Sequence, residues 1–180
     1  MRLVRSIALL AITTVVAACS SSSPATVNQV NPNAPFTISV IYLSTPSAAF
    51  QLAMDSAVKR LTAIVKGGPT GYVTSMSSVD AANYTTIIRK STANNGCGLT
   101  NATLPSGAYA GVVIFAQDTS SLGSPTIIAQ AGPCLIRDDR LPIVASMRFR
   151  TEYSAPLVTK GQVVDVMTHE MLHSIGFNST

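Results

Sequence analysis

The segment from Lys160 to Ile175 constrains the fold most, because apolar residues recur in it at three- and four-residue spacing. That spacing predicts an α-helix, and Gly176 stands where a left-handed residue commonly ends one. The apolar residues gather on one side of the helix, and they are Val163, Val164, Met167, Met171 and Ile175. His169 and His173 lie nearly opposite that side. We therefore expect one face to be buried while both imidazoles point into a space that the rest of the fold shapes.

His169, Glu170 and His173 form the pattern His-Glu-x-x-His within that helix. Histidines four apart on one helical face can place two ring nitrogens on one zinc ion, at about 2.0 to 2.1 Å. In this motif the glutamate takes a proton from the zinc-bound water, and the resulting hydroxide attacks a carbonyl carbon. The pattern predicts Zn²⁺ as cofactor, His169 and His173 as its ligands, and Glu170 as the catalytic base.

Chance is a poor explanation for this motif. The whole chain holds only 2 histidines, and both of them fall in it. With residues this rare, the expected number of accidental matches is on the order of two or three in ten thousand. The alternative, two surface histidines that merely satisfy each other, is therefore disfavoured.

The N-terminus has the layout of an export signal. Two arginines precede an apolar, uncharged run from Ser6 to Ala18, which is shorter than the roughly 20 residues that cross a bilayer. A signal peptide over residues 1–18 is therefore favoured over a permanent anchor. The run ends in Ala17-Ala18-Cys19, which resembles a bacterial lipobox and predicts lipid modification of Cys19; an ordinary signal beside an incidental cysteine is the alternative. We expect an exported protein of the cell envelope, lipid-anchored to a membrane or otherwise secreted.

Residues 19–35 are uncharged and rich in Ser, Asn, Pro and Thr, so we interpret them as a flexible tether. One domain over residues 36–180 then remains, and it is long enough to bury a core. It contains Cys97 and Cys134, and in an oxidising compartment a disulfide between them is the natural outcome. Two free, buried thiols are the alternative.

The net charge of +4 does not indicate a nucleic-acid partner. Two of the 12 basic residues belong to the N-terminal signal, and the remaining charges are nearly balanced. The sequence contains no cluster of Arg and Lys with interleaved aromatic residues. We therefore expect no binding of nucleic acid.

The remaining patterns predict an α+β domain. Phe36–Leu43 and Gly111–Ala116 are β-rich runs, whereas apolar residues recur at helical spacing between Phe50 and Val65 and predict a helix that packs on a sheet. The polar stretch Tyr72–Leu104 predicts only short strands and loops. Leu141–Phe149 predicts a further strand, placed at a sheet edge because its second residue is a proline, which cannot donate a ladder hydrogen bond.

Residues 164–177, which read VDVMTHEMLHSIGF, resemble the active-site helix of the leishmanolysin family, and its bacterial lipoprotein-like members in particular. The stretches AQAGPCLIR at 129–137 and LPIVASMRF at 141–149 are similar to the segment before that helix. The resemblance implies a zinc metalloendopeptidase with a metzincin-like fold, a twisted mixed sheet packed on a backing helix and an active-site helix. It also implies that the preceding strand pairs with an extended peptide substrate, which assigns substrate binding to Leu141, Ile143 and Ala145.

The family takes its third zinc ligand, a histidine, and a methionine turn from beyond this helix, whereas the present sequence ends at Thr180. The shorter metzincin pattern needs a histidine at position 179, which is Ser179 here. We therefore expect a domain truncated at its C-terminus, with Asp118, Asp138 or Asp139 as the remaining candidates for a third ligand. The alternative function is a catalytically inactive surface lipoprotein that keeps the scaffold as a binding or structural module.

Overall fold

A computed structural model describes residues 36–65, 74–92, 96–120, 122–138 and 140–177. Its elements, in chain order, are β1 (Thr37–Tyr42), α1 (Ala48–Ile64), β2 (Thr74–Met76), α2 (Ser78–Arg89), β3 (Gly107–Tyr109), β4 (Gly111–Thr119), β5 (Ala129–Ile136), β6 (Pro142–Arg150), α3 (Thr151–Thr159) and α4 (Val163–Ser174). This is the α+β class that the sequence predicts. No helix within the described ranges is long and apolar enough to cross a membrane. The predicted signal peptide, the tether with Cys19, and Asp139, Ser179 and Thr180 all lie outside the described residues.

The central sheet has four strands in the order β1-β4-β6-β5. Strands β1, β4 and β6 run parallel to one another, while β5 pairs antiparallel with β6. Strands β2 and β3 form a separate two-stranded sheet. The predicted strands at the start of the domain and at Gly111–Ala116 are confirmed as β1 and β4.

One face of the central sheet is covered by α1, α3 and α4. Every second residue of β4 and β6 enters this core, among them Ile114, Ala145 and Met147, as the two-residue period of a strand requires. The predicted helix after β1 is confirmed as α1, which starts where the Ser47 side chain accepts a hydrogen bond from the Phe50 backbone N–H. The Phe50 ring then packs edge-on against Phe149 of β6, with the ring centroids 4.9 Å apart.

The opposite face is covered by α2 and by the segment that follows it. Their apolar residues pack on Val113, Phe115 and Val144 of the sheet. The sequence prediction of only short strands and loops between Tyr72 and Leu104 is wrong for α2, whose buried face consists of Ala81, Thr85 and Ile88 and is therefore a weak apolar signal. A start signal is nevertheless present, since the Ser77 hydroxyl accepts from the Asp80 backbone N–H at 3.1 Å and donates to the Asp80 carboxylate at 2.7 Å.

Strand β6 is not an edge strand, so that prediction is wrong. Ala145 has a partner on each side, Ile114 of β4 and Pro133 of β5. Pro142 is the first residue of β6, a position where a missing N–H is tolerated even inside a sheet. The edge strand next to α4 is instead β5.

A disulfide joins Cys97 to Cys134, as the sequence predicts, and the two Cα atoms are 5.7 Å apart. The bond connects the segment after α2 to strand β5. It therefore ties the helical layer on one face of the sheet to the edge strand.

Removal of this disulfide should lower the free energy of unfolding. The loop spans 37 residues, and closing a loop of that length contributes about 4 kcal/mol in the chain-entropy model. We expect the double variant Cys97→Ser/Cys134→Ser to lose stability on that scale in urea denaturation. Reduced wild-type protein is the matched control and should unfold like the variant. Equal stability of oxidised wild type and variant would contradict the prediction.

Candidate metal and catalytic site

Helix α4 positions the predicted site residues by burying its other face. Val163, Met167 and Met171 are buried in the core formed with the sheet and α1. The helix begins three residues later than predicted, because Gly161 adopts a left-handed conformation with φ of +68° and separates α4 from α3. The face that carries the imidazoles points away from this core, as the apolar periodicity predicts.

The two imidazoles meet at their Nε2 atoms. His169 Nε2 and His173 Nε2 are 3.1 Å apart, and the rings stand at 89° to each other. Two nitrogens that bind one tetrahedral zinc ion at about 2.0 to 2.1 Å lie roughly 3.3 Å from each other. The spacing of the pair therefore fits joint binding of one zinc ion.

The C-terminus of α4 fixes the tautomer of His173. Gly176 has a φ of +104°, and this turn lets the Phe177 N–H donate to the Leu172 carbonyl at 2.9 Å. The same turn brings the Phe177 carbonyl to 2.6 Å from His173 Nδ1. Because a carbonyl can only accept, Nδ1 carries the proton of the neutral ring and Nε2 keeps its lone pair. A backbone carbonyl on the second ring nitrogen is the usual support of a zinc-binding histidine.

Glu170 is buried, with only 7% of its surface exposed. Loss of hydration raises the pKa of its carboxyl, while His169, His173 and a hydrogen bond from the Ala131 backbone N–H oppose the increase. The sequence predicts Glu170 beside a bound metal ion but gives no sign of this burial, which arises because β5 lies against α4. A buried carboxylate with a raised pKa is a stronger base than an exposed one.

Among the residues that the structure describes, no third candidate metal ligand accompanies the two histidines. Within the described ranges, no group of three or more His, Cys, Asp or Glu side chains could hold a metal ion together. Asp118 and Asp138 therefore do not complete the site, and Asp139 lies outside those ranges. A catalytic zinc ion usually has three protein ligands, and the described residues offer two candidates, His169 and His173.

The residues predicted to bind substrate do not lie at a sheet edge. Ile143 and Ala145 are buried inside the sheet, and Ala145 is paired with strands on both sides, so it cannot also pair with a peptide. Leu141 instead lines an apolar cavity of about 230 Å³ together with Ile175 and Phe177. The strand beside the site is β5, which the sequence analysis did not assign. Its Pro133 was a usable signal, because prolines within sheets are found at edges.

The burial of Glu170 predicts a pH-dependent gain in stability for Glu170→Gln in the metal-free protein. In the folded protein the pKa of Glu170 lies above its ordinary value of 4.5. As the pH rises, the unfolded chain therefore loses the Glu170 proton at a lower pH than the folded protein does. Folding is then penalised at neutral pH and unaffected well below pH 4.5. Thermal melts with a chelator, from about pH 3 to about pH 8, should show the variant more stable at the upper end and equal at the lower.

Glu152→Gln is the control, because the carboxylate of Glu152, which pairs with Arg150, is largely exposed rather than buried. It should leave stability unchanged or slightly lowered at neutral pH. A wild-type protein that is as stable as Glu170→Gln at every pH would rule out the proposed burial penalty.

Comparison with known proteins bears on the same part of the chain. The family model described as leishmanolysin matches residues 90–180, half of the 180 residues, and this span contains β5, β6 and α4. The sequence matches no curated protein, and the likeness to bacterial lipoprotein-like members stays a prediction. Leishmanolysins are zinc metallopeptidases, which act on peptides or proteins. The chain belongs to the leishmanolysin family.

Proposed function

We propose that this domain is a zinc-dependent metalloendopeptidase in which His169 and His173 hold the ion and Glu170 is the general base. The observation that carries the proposal is the pair of Nε2 atoms 3.1 Å apart, one of which has its lone pair fixed by the Phe177 carbonyl. When bound, a zinc ion would act as a Lewis acid and make a water molecule easier to deprotonate. The remaining chemistry belongs to side chains of this protein.

Glu170 supplies the proton transfers. Its carboxylate takes a proton from water, so that the water oxygen can attack the carbonyl carbon of the peptide bond. The protonated carboxyl then returns that proton to the amide nitrogen as the carbon–nitrogen bond breaks. Burial favours both steps. A raised pKa lies closer to neutral pH, where the carboxyl can both accept a proton and release it again.

Strand β5 is the surface that we propose for the substrate backbone. It is a terminal strand of the central sheet, and its Ala131 N–H reaches the Glu170 carboxylate. An extended peptide that joins this edge as a further strand would lie beside the catalytic base. Main-chain hydrogen bonds along a strand can bind peptides of many different sequences, so this mode of binding suits an enzyme that acts on peptides.

Zinc titration of the full chain tests the metal site. We expect wild type to bind Zn²⁺ and His173→Ala to bind it more than about tenfold more weakly, because one of only two described ligands is lost. Asp138→Asn is the control and should match wild type, since Asp138 does not join the imidazoles. Equal affinities of wild type and His173→Ala would remove the site.

Peptide cleavage tests the base. Glu170→Ala should lower kcat by about 10²- to 10⁴-fold, the usual contribution of general base catalysis, and should still bind zinc. Glu152→Gln, the other glutamate of the chain, should retain activity. Cleavage that survives Glu170→Ala would exclude this mechanism, and a wild type that binds zinc without cleaving peptides would support the inactive scaffold instead.

A further inference from the structure

A second cavity, of about 180 Å³, lies along β5 on the face of the sheet opposite α4. Met147 and Phe149 of β6 point into the core beneath α4, so Ser146 and Arg148, which alternate with them, point to the other face. Their cross-strand partners are Gly132 and Gln130 of β5. These two pairs form the floor of the cavity, and Cys97 lies in its wall.

Arg148 gives this cavity a positive charge that the lining residues do not neutralise. No carboxylate is among the described residues that line it. One guanidinium nitrogen of Arg148, Nη2, donates to the Cys97 carbonyl. The Nε atom is buried and has no hydrogen-bond partner in the described part of the chain. Nε is closed to solvent, so an anion in the cavity would not bond to it directly, but the charge of that anion would offset the cost of a half-buried guanidinium.

The wall of the cavity is built to keep Arg148 in place. The Cys97 and Gly98 N–H groups donate to the Ile88 and Lys90 carbonyls at the end of α2, at 3.3 and 2.7 Å. Gly98 has a φ of +66°, and a Cβ there would lie 3.2 Å from Arg148 Nη2, so a glycine lets the backbone approach the guanidinium. The disulfide adds a covalent link from Cys97 to β5.

We infer that this cavity is a specificity subsite in which Arg148 binds an acidic side chain of a peptide extended along β5. The inference rests on the proposed function, because it uses the same edge strand. Residues opposite each other in neighbouring strands direct their side chains to the same face. A substrate residue opposite Gly132 or Gln130 therefore points into the cavity, while the next one, opposite Ala131, points to the face that carries Glu170.

The size of the cavity fits one side chain. Pockets for whole small molecules usually measure about 300 to 1,000 Å³, more than the 180 Å³ found here. Glu and Asp carboxylates match an arginine by charge and by hydrogen bonding. Because the subsite is one residue away from the position opposite Ala131, the acidic residue should lie within about two positions of the cleaved bond.

The test measures binding of fluorescein-labelled, C-terminally amidated peptides to zinc-loaded Glu170→Gln protein by fluorescence anisotropy. Paired peptides carry Glu or Gln at each position in turn around the bond that wild type cleaves, or in a generic extended sequence if it cleaves none. We expect Glu to bind about tenfold tighter than Gln at one position, as a charge-assisted hydrogen bond provides. Arg148→Gln should bind the Glu and Gln peptides equally, and Arg148→Lys should retain part of the preference for Glu.

Two further variants separate recognition from structure. Gly132→Val narrows the cavity and leaves Arg148 in the sequence, and a Cβ at Gly132 meets no atom within 4 Å, while valine suits a strand. It should also abolish the preference for Glu, which keeps the test valid if Arg148→Gln fails to fold. Lys59→Gln removes an exposed positive charge elsewhere and should preserve the preference for Glu.

The outcomes distinguish this inference from the proposed function. Equal binding of Glu and Gln peptides at every position, or a preference for Glu that survives Arg148→Gln or Gly132→Val, overturns the subsite even if wild type cleaves both peptides. A tighter Glu peptide that wild type does not cleave supports the subsite and counts against the peptidase. The same peptides made with a free C-terminal carboxylate are the last comparison, and tighter binding that needs this carboxylate would also overturn the side-chain assignment.

Discussion

The packing of α4 against the sheet is the interaction on which the site depends. Met167 and Met171 are fully buried beneath that helix, and each such side chain contributes about 1.5 to 3 kcal/mol when it leaves water. This contribution fixes the rotation of α4 about its axis. Once the rotation is fixed, His169 and His173 can only face outward, and Glu170 can only face β5. Apolar contacts that play no part in the chemistry thus determine the geometry of the polar groups that do.

Burial of Glu170 shows a conflict between stability and function. A carboxylate that loses its hydration destabilises the folded state at neutral pH, because the unfolded chain gives up the proton more readily. The fold accepts this cost because α1, α3 and α4 share one apolar core on that face of the sheet. The same loss of hydration makes the carboxylate a better base, so the penalty and the proposed catalytic role have one physical origin.

Periodic patterns in the sequence were sufficient for the elements that bury one continuous face. β1, α1, β4 and α4 all carry such a pattern. The His-Glu-x-x-His spacing predicts the two imidazoles and the carboxylate as the residues of the candidate site. Helix α2 has a weak apolar signal because only Ala81, Thr85 and Ile88 of its described residues are buried, and its clearest sequence feature is the Ser77–Asp80 cap. The predicted edge position of β6 is wrong because Pro142 stands at the start of the strand, where an inner strand tolerates proline as well as an edge strand does. The cavity around Arg148 depends on cross-strand register, which no single segment encodes.

The link between Cys97 and Cys134 has a practical consequence for anyone who prepares this protein. It joins the wall of the Arg148 cavity to the strand that the substrate is proposed to follow, so the oxidation state of two thiols governs how firmly that wall is held. Material made in a reducing cytoplasm would keep the wall in place only through hydrogen bonds to the end of α2. Samples from different expression hosts can therefore share one sequence and differ in the selectivity that we propose, and free-thiol content should be measured before such samples are compared.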